Sequence, residues 1–243
     1  MPAEIHTEAT QFESHGNTIR GYLARPTTAG PHAAVIIIHD VWGLSDHYRD
    51  IAERLAHQGF VTWAIDLYSR EGPPADLADM EAVDGWIHDL PDRRVLTDLQ
   101  MTVSHLASQS YVDGQAIAVA GFCMGGQYAL MAACTLSGLA AAVSWYGMLR
   151  YRRTSSTSPE QPLDMARRLT VPWLGLYGSQ DAIIPAADVD ELRAVLEEEE
   201  AEFELVSYDG AGHAFFNDAR PDMYRPEAAA DAWQRCLAFL GNG

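Results

Sequence analysis

The sequence predicts an α/β fold in which a mostly parallel central sheet carries helices on both faces. Short β-branched, apolar runs alternate along the chain with segments of helical period. The first two of these runs are apolar at nearly every position, as strands buried on both faces require. The chain has 243 residues and 48% hydrophobic content, enough to bury one sizeable core. Residues 1–243 are therefore expected to form a single domain.

The elements follow in order. The first expected feature is a hairpin around His15-Gly16-Asn17. The run Ala33-Ala34-Val35-Ile36-Ile37-Ile38 then reads as a buried strand. A helical segment from Asp46 to Gln58 leads to a second such strand, Phe60-Val61-Thr62-Trp63-Ala64-Ile65, and the two are expected to be parallel neighbours. Further strands are expected from Ala116 to Ala120, Ala140 to Trp145, Val171 to Tyr177 and Phe203 to Tyr208. Most are followed by a turn and a helical pattern. The last helix starts near Arg225-Pro226-Glu227, with proline at an early helical position, and runs to Leu240. The acidic run Glu197 to Glu200 reads as a solvated helix end. The insertion from Arg152 to Pro159 should lie at the carboxyl edge of the sheet, where ligands bind in such folds.

Charge narrows the function classes. Thirty-four Asp and Glu against 16 Lys and Arg give a formal net charge of −18, which repels phosphate backbones and anionic lipid. Nucleic acid is not an expected partner. The apolar runs are too short to span a bilayer at roughly 20 residues per helix, so no membrane span is expected. The N-terminus lacks the basic stretch and apolar core of a secretory signal, making cytoplasmic residence the default expectation. Cys123, Cys134 and Cys236 are odd in number and lack CxxC spacing, which argues against a disulfide framework or a zinc site. His39 and His47 are poorly spaced for a metal pair, and no cofactor is expected.

The chemistry concentrates in Gly121-Phe122-Cys123-Met124-Gly125-Gly126, a G-x-nucleophile-x-G motif between a strand-like and a helix-like run. A nucleophile in so sharp a turn needs glycines two residues to either side, because larger side chains would collide with neighbouring backbone. The turn presents the Met124 N–H at a helix N-terminus, where it can hold an oxyanion and help lower a thiol pKa. Asp181, in Gly178-Ser179-Gln180-Asp181, and His213, in Gly210-Ala211-Gly212-His213, each follow a strand. The order nucleophile, acid, histidine suits a triad in this architecture.

The sequence resembles the dienelactone hydrolase (carboxymethylenebutenolidase) family of α/β-hydrolases over nearly the whole chain. The resemblance rests on His39-Asp40-Val41-Trp42-Gly43-Leu44, Asp66-Leu67-Tyr68-Ser69-Arg70, Gly121 to Gly126, Trp145-Tyr146-Gly147, Gly178 to Asp181 and Gly212-His213-Ala214-Phe215. A cysteine nucleophile is the most specific of these features. The resemblance implies an α/β-hydrolase fold and opening of a carboxylated enol-lactone through a thioester on Cys123. His213 would act as base and Asp181 would orient it, with Met124 and Val41 N–H groups as the oxyanion hole. It also matches Asp40 to a glutamate that acts on the resting thiol, one methylene shorter here. Arg70 matches an arginine that binds the substrate carboxylate.

A second family arginine after the histidine has no match, because Phe215-Phe216-Asn217 occupies its place. Compensation by Arg150, Arg152 or Arg153, or a changed specificity, are both open. Tyr146 is a candidate lining residue for the acyl pocket, and Trp42 and Phe215 flank the proposed catalytic loops. The expected partner is a small-molecule lactone or ester. The alternatives are a broader carboxylesterase or thioesterase on the same scaffold, and a non-catalytic ligand-binding homologue.

Overall fold

The computed structural model describes residues 3–70, 72–74, 83, 85–87 and 90–241. Its strands and helices, in chain order, are β1 (Ile5–Ser14), β2 (Asn17–Pro26), β3 (His32–Ile38), α1 (Asp46–His57), β4 (Val61–Ile65), α2 (Asp92–Ala107), β5 (Val112–Phe122), α3 (Met124–Ala133), β6 (Ala141–Trp145), α4 (Pro162–Met165), β7 (Trp173–Gly178), α5 (Ala186–Glu198), β8 (Phe203–Tyr208) and α6 (Pro226–Gly241). The strands form one sheet in the order β1-β2-β4-β3-β5-β6-β7-β8. The β1–β2 and β2–β4 pairs are antiparallel and all the others are parallel. The expected mostly parallel α/β architecture is the one observed.

Local chemistry accounts for the elements. Ser14 pairs with Asn17 across a two-residue turn in which His15 and Gly16 both take positive φ, 48° and 77°, the twist that suits a tight hairpin. β3 sits between β4 and β5, so Val35 to Ile38 have no solvent-facing side and are 0% exposed. In α1 the buried positions Tyr48, Ile51, Ala52 and Leu55 recur at helical spacing, and in α6 Ala229, Ala232, Trp233, Cys236 and Leu240 do the same.

The acidic helix end at Glu197 to Glu200 is exposed, and Arg167 bridges Glu198 and Glu199. The insertion after β6 packs on the first turn of α2, where the Asp92 N–H donates to the Thr157 carbonyl at 3.0 Å. Parallel strands β3, β5, β7 and β8 therefore deliver their carboxyl ends, and the loops that follow them, to one edge of the sheet.

Candidate active site

The turn between β5 and α3 holds Cys123 at φ 55°, ψ −115°, a conformation that L-residues rarely adopt. Its N–H donates to the Trp145 carbonyl at 2.9 Å, and its carbonyl accepts from Gln127 N–H at 3.1 Å. A Cβ on Gly121 would overlap the carbonyl of Gly125, and one on Gly125 would overlap that of Ile38. The two glycines thus let helix α3 press against β3 and β5, which is the steric requirement read from the motif.

The loops after β7 and β8 bring two more predicted residues to this turn. The Nε2 of His213 lies 3.1 Å from Cys123 Sγ, and its Nδ1 lies 2.8 Å from Asp181 Oδ2. The other Asp181 oxygen accepts the N–H groups of Ile183 (2.8 Å) and Ile184 (3.0 Å), which lock the carboxylate. Burial works to lower the pKa of His213, but the Cys123 thiolate and Asp181 outweigh it and raise the pKa to about 10. The raised pKa favours an imidazolium whose Nδ1–H donates to Asp181 and whose Nε2 faces the Cys123 sulfur.

The loop after β3 supplies the opposite wall. His39 is wholly buried; its Nδ1–H donates to the Asp40 carbonyl (2.6 Å) and its Nε2 accepts from Leu67 N–H (3.1 Å). Burial lowers its pKa to about 4, so the ring is neutral with the proton on Nδ1. In a trans peptide the N–H points opposite to the C=O. With the Asp40 carbonyl turned to His39, the Val41 N–H is turned to the other side of that peptide. The Tyr68 hydroxyl donates to the next carbonyl, Val41 O, at 2.6 Å and so restrains the following peptide as well.

Asp40 is 5% exposed, and its Oδ1 accepts from Trp42 N–H at 2.8 Å. Burial raises its pKa, opposed by the Trp42 N–H, the Tyr48 hydroxyl and the charges of Arg220 and His213. Burial also raises the pKa values of Tyr48, Tyr68 and Tyr146, and the charges of both Asp40 and Cys123 push in the same direction. Asp40 and the thiol therefore act on one shared set of phenols. Tyr146 takes φ 40°, and its ring centroid lies 5.2 Å from that of His213.

Two of the expected substrate contacts have partners within the protein. Phe215 is 0% exposed, packed among Trp145, Tyr146 and Tyr208, and so backs Tyr146. Arg70 spends its guanidinium on the buried carboxylate of Asp98, which also takes Arg94 and the Ser14 hydroxyl. Freeing it would strand a buried charge. Of the compensating arginines considered, Arg150 pairs with Asp188 and Glu191, while Arg152 and Arg153 are exposed on the insertion.

Sequence reasoning missed the tethering roles of His39 and Tyr68, although both stand in motifs already singled out. It also missed Arg220, whose guanidinium lies 4.1 Å from the centroid of Trp42. Among the described residues no cluster of three or more His, Cys, Asp or Glu side chains is arranged for a metal, and His47 is engaged by Asp218 at 3.1 Å.

A mostly parallel sheet with a cysteine on a strained strand-to-helix turn, and an aspartate and a histidine hydrogen-bonded in line with it from later strand ends, is the arrangement of an α/β-hydrolase. The family model of the dienelactone hydrolase family matches residues 19–243. The chain belongs to that family, whose hydrolases act on ester or lactone bonds of small molecules. It is 41% identical over 233 residues to the "Putative carboxymethylenebutenolidase" of Escherichia coli (strain K12), covering 95% of this chain and 85% of that one. It is 36% identical over 227 residues to the "Probable 2-oxo-3-(5-oxofuran-2-ylidene)propanoate lactonase" of a Bradyrhizobium species, covering 93% and 90%. The crystal structure of the "Putative Dienelactone Hydrolase" of Klebsiella pneumoniae superposes with TM-score 0.94 at 37% identity, covering 99% of this chain and all of that one.

Proposed function

We propose that the protein opens a carboxylated enol-lactone, or a related ester, through a thioester on Cys123. The observation that carries this reading is the continuous chain from Asp181 Oδ2 through His213 to Cys123 Sγ, with contacts of 2.8 and 3.1 Å. The thiolate adds to the acyl carbonyl, and the oxyanion is held by the N–H groups of Met124 and Val41. Collapse of the tetrahedral adduct breaks the acyl C–O bond, leaves the thioester and expels an enolate or alkoxide, which takes its proton from the His213 imidazolium. Neutral His213 then removes a proton from water as the water attacks the thioester; the thiolate departs and the imidazolium is restored, with Asp181 holding the tautomer throughout. A thiolate suits an oxygen leaving group such as an enolate better than an amine, which is why esters and lactones are the proposed substrates.

The name of the Bradyrhizobium relative describes a lactone bearing a carboxylate, which supports the lactone reading. The commitment of Arg70 to Asp98 favours the second reading, a broader esterase with a weaker demand for substrate charge. The test is turnover of a carboxylate-bearing enol-lactone beside neutral p-nitrophenyl acetate, with wild type and Cys123→Ala in parallel. Loss of both activities in the variant with strong lactone preference in wild type supports the first reading, and preference for the neutral ester supports the second. A fully active Cys123→Ala protein overturns both.

A further inference from the structure

We infer that the buried side-chain oxygens of Asp92, Gln127 and Ser158 form a site for an alkali-metal cation where the insertion after β6 meets helices α2 and α3. The site lies outside the triad and does not depend on the acyl-enzyme reading. Three observations carry it.

The first is the direction of the hydrogen bonds. Asp92 opens α2, and its Oδ1 accepts from the hydroxyls of Tyr151 (2.8 Å) and Tyr128 (3.1 Å). The Tyr151 hydroxyl has one hydrogen, spent on Asp92, so Gln127 turns its Nε2 to that oxygen as donor (2.5 Å). Gln127 Oε1 and Asp92 Oδ2 are left as buried acceptors without a donor. The Ser158 hydroxyl is 0% exposed and makes no hydrogen bond of ordinary geometry. Burial raises the pKa values of Asp92 and Tyr151, and Ser158 stands close enough to oppose it at both. Bare acceptors in an interior are costly, above all when one is charged.

The second is a missing countercharge. Among the described residues four aspartates are buried: Asp40, Asp92, Asp98 and Asp181. Asp98 takes Arg70 and Arg94, Asp181 takes His213, and Asp40 lies in the fields of Arg220 and His213. Asp92 is the one of the four that no cationic side chain pairs with or acts on. Its phenol donors and the start of α2 favour the ionised carboxylate. A cation neutralises that charge, whereas a water molecule does not.

The third is the donor set and its access. A carboxylate oxygen, an amide oxygen and a hydroxyl carry one charge between them, which suits Na+ or K+. Zinc draws nitrogen and sulfur ligands, and calcium draws more carboxylates. A groove of about 660 Å³, lined by Asp92, Met131, Thr157 and Pro159, gives the ion a path from the surface. Bound there, the ion ties α2 and the insertion to α3, where Gln127 N–H holds the Cys123 carbonyl at 3.1 Å.

The experiment follows Tm of the whole protein in NaCl, KCl and choline chloride at matched ionic strength, across a range of salt concentrations. Sodium or potassium should raise Tm saturably above the choline value, by about 5–10 °C at a hundredfold excess over Kd. Asp92→Asn keeps the shape, removes the charge and should lose that rise. Wild-type crystals grown in RbCl should show an anomalous-scattering peak among Asp92, Gln127 and Ser158, a readout that stands even if the variant does not fold. Equal Tm values in the three salts overturn the inference. So does a rise that survives in Asp92→Asn, or a rubidium map with no peak at the cluster.

Discussion

Replacing His39 by phenylalanine separates the orientation of the proposed oxyanion loop from the chemistry of the proposed triad. The side chain is 0% exposed, so a ring of similar size preserves packing while removing both hydrogen bonds. The Asp40 carbonyl and the Leu67 N–H would then be buried without partners. At about 1–3 kcal/mol for each stranded group, stability should fall by about 2–6 kcal/mol. That is a large share of the roughly 5–15 kcal/mol typical of folded proteins, but not all of it. The catalytic effect comes from the peptide between Asp40 and Val41, which is no longer held with its N–H turned away from His39. Loss of one oxyanion donor lowers kcat by roughly 10²–10³, and KM should change little because the interaction develops only as the oxyanion forms. The assay is steady-state hydrolysis of p-nitrophenyl acetate well below the variant's Tm, with Tm measured alongside. His39→Gln, whose amide can still donate to the Asp40 carbonyl, should lie between wild type and His39→Phe. A folded His39→Phe protein with kcat within about threefold of wild type would refute the reasoning, since an oxyanion donor is worth far more than that.

Acid sensitivity should follow from the same residue. Unfolded His39 gains its proton near pH 6.5 but the folded ring resists to about pH 4, so its contribution to stability is present above 6.5 and is lost as the pH falls through 4. The loss is about 3 kcal/mol at the full shift, and urea titrations across that range should show a shallower pH slope in His39→Phe. Asp181→Asn keeps an acceptor for the N–H groups of Ile183 and Ile184 but can set an amide against His213 Nδ1. It should lower kcat on the order of 10²–10⁴ and move the basic limb of thiol alkylation by iodoacetamide to lower pH, because the imidazolium loses its anionic partner. Wild-type kcat in this variant would remove Asp181 from the proposed triad.

The alternation of apolar runs with helical segments, the glycines around Cys123 and the order Cys123, Asp181, His213 were all legible in the chain. These features are set locally: strand burial dictates continuous apolar residues, and a tight turn dictates glycine where a Cβ would overlap backbone. The family pattern then added Asp40, Val41 and Arg70 by position alone. Position could not reveal that Arg70 is committed to Asp98, 28 residues away, or that Phe215 turns into the core behind Tyr146. Nor could it join His39 to Leu67, or Arg220 to Trp42 across 178 residues of chain. A long side chain at a given position can reach several partners, and which one it takes depends on where distant loops are packed. Only the tertiary structure decides that choice, because the competing contacts differ in burial and charge rather than in sequence spacing.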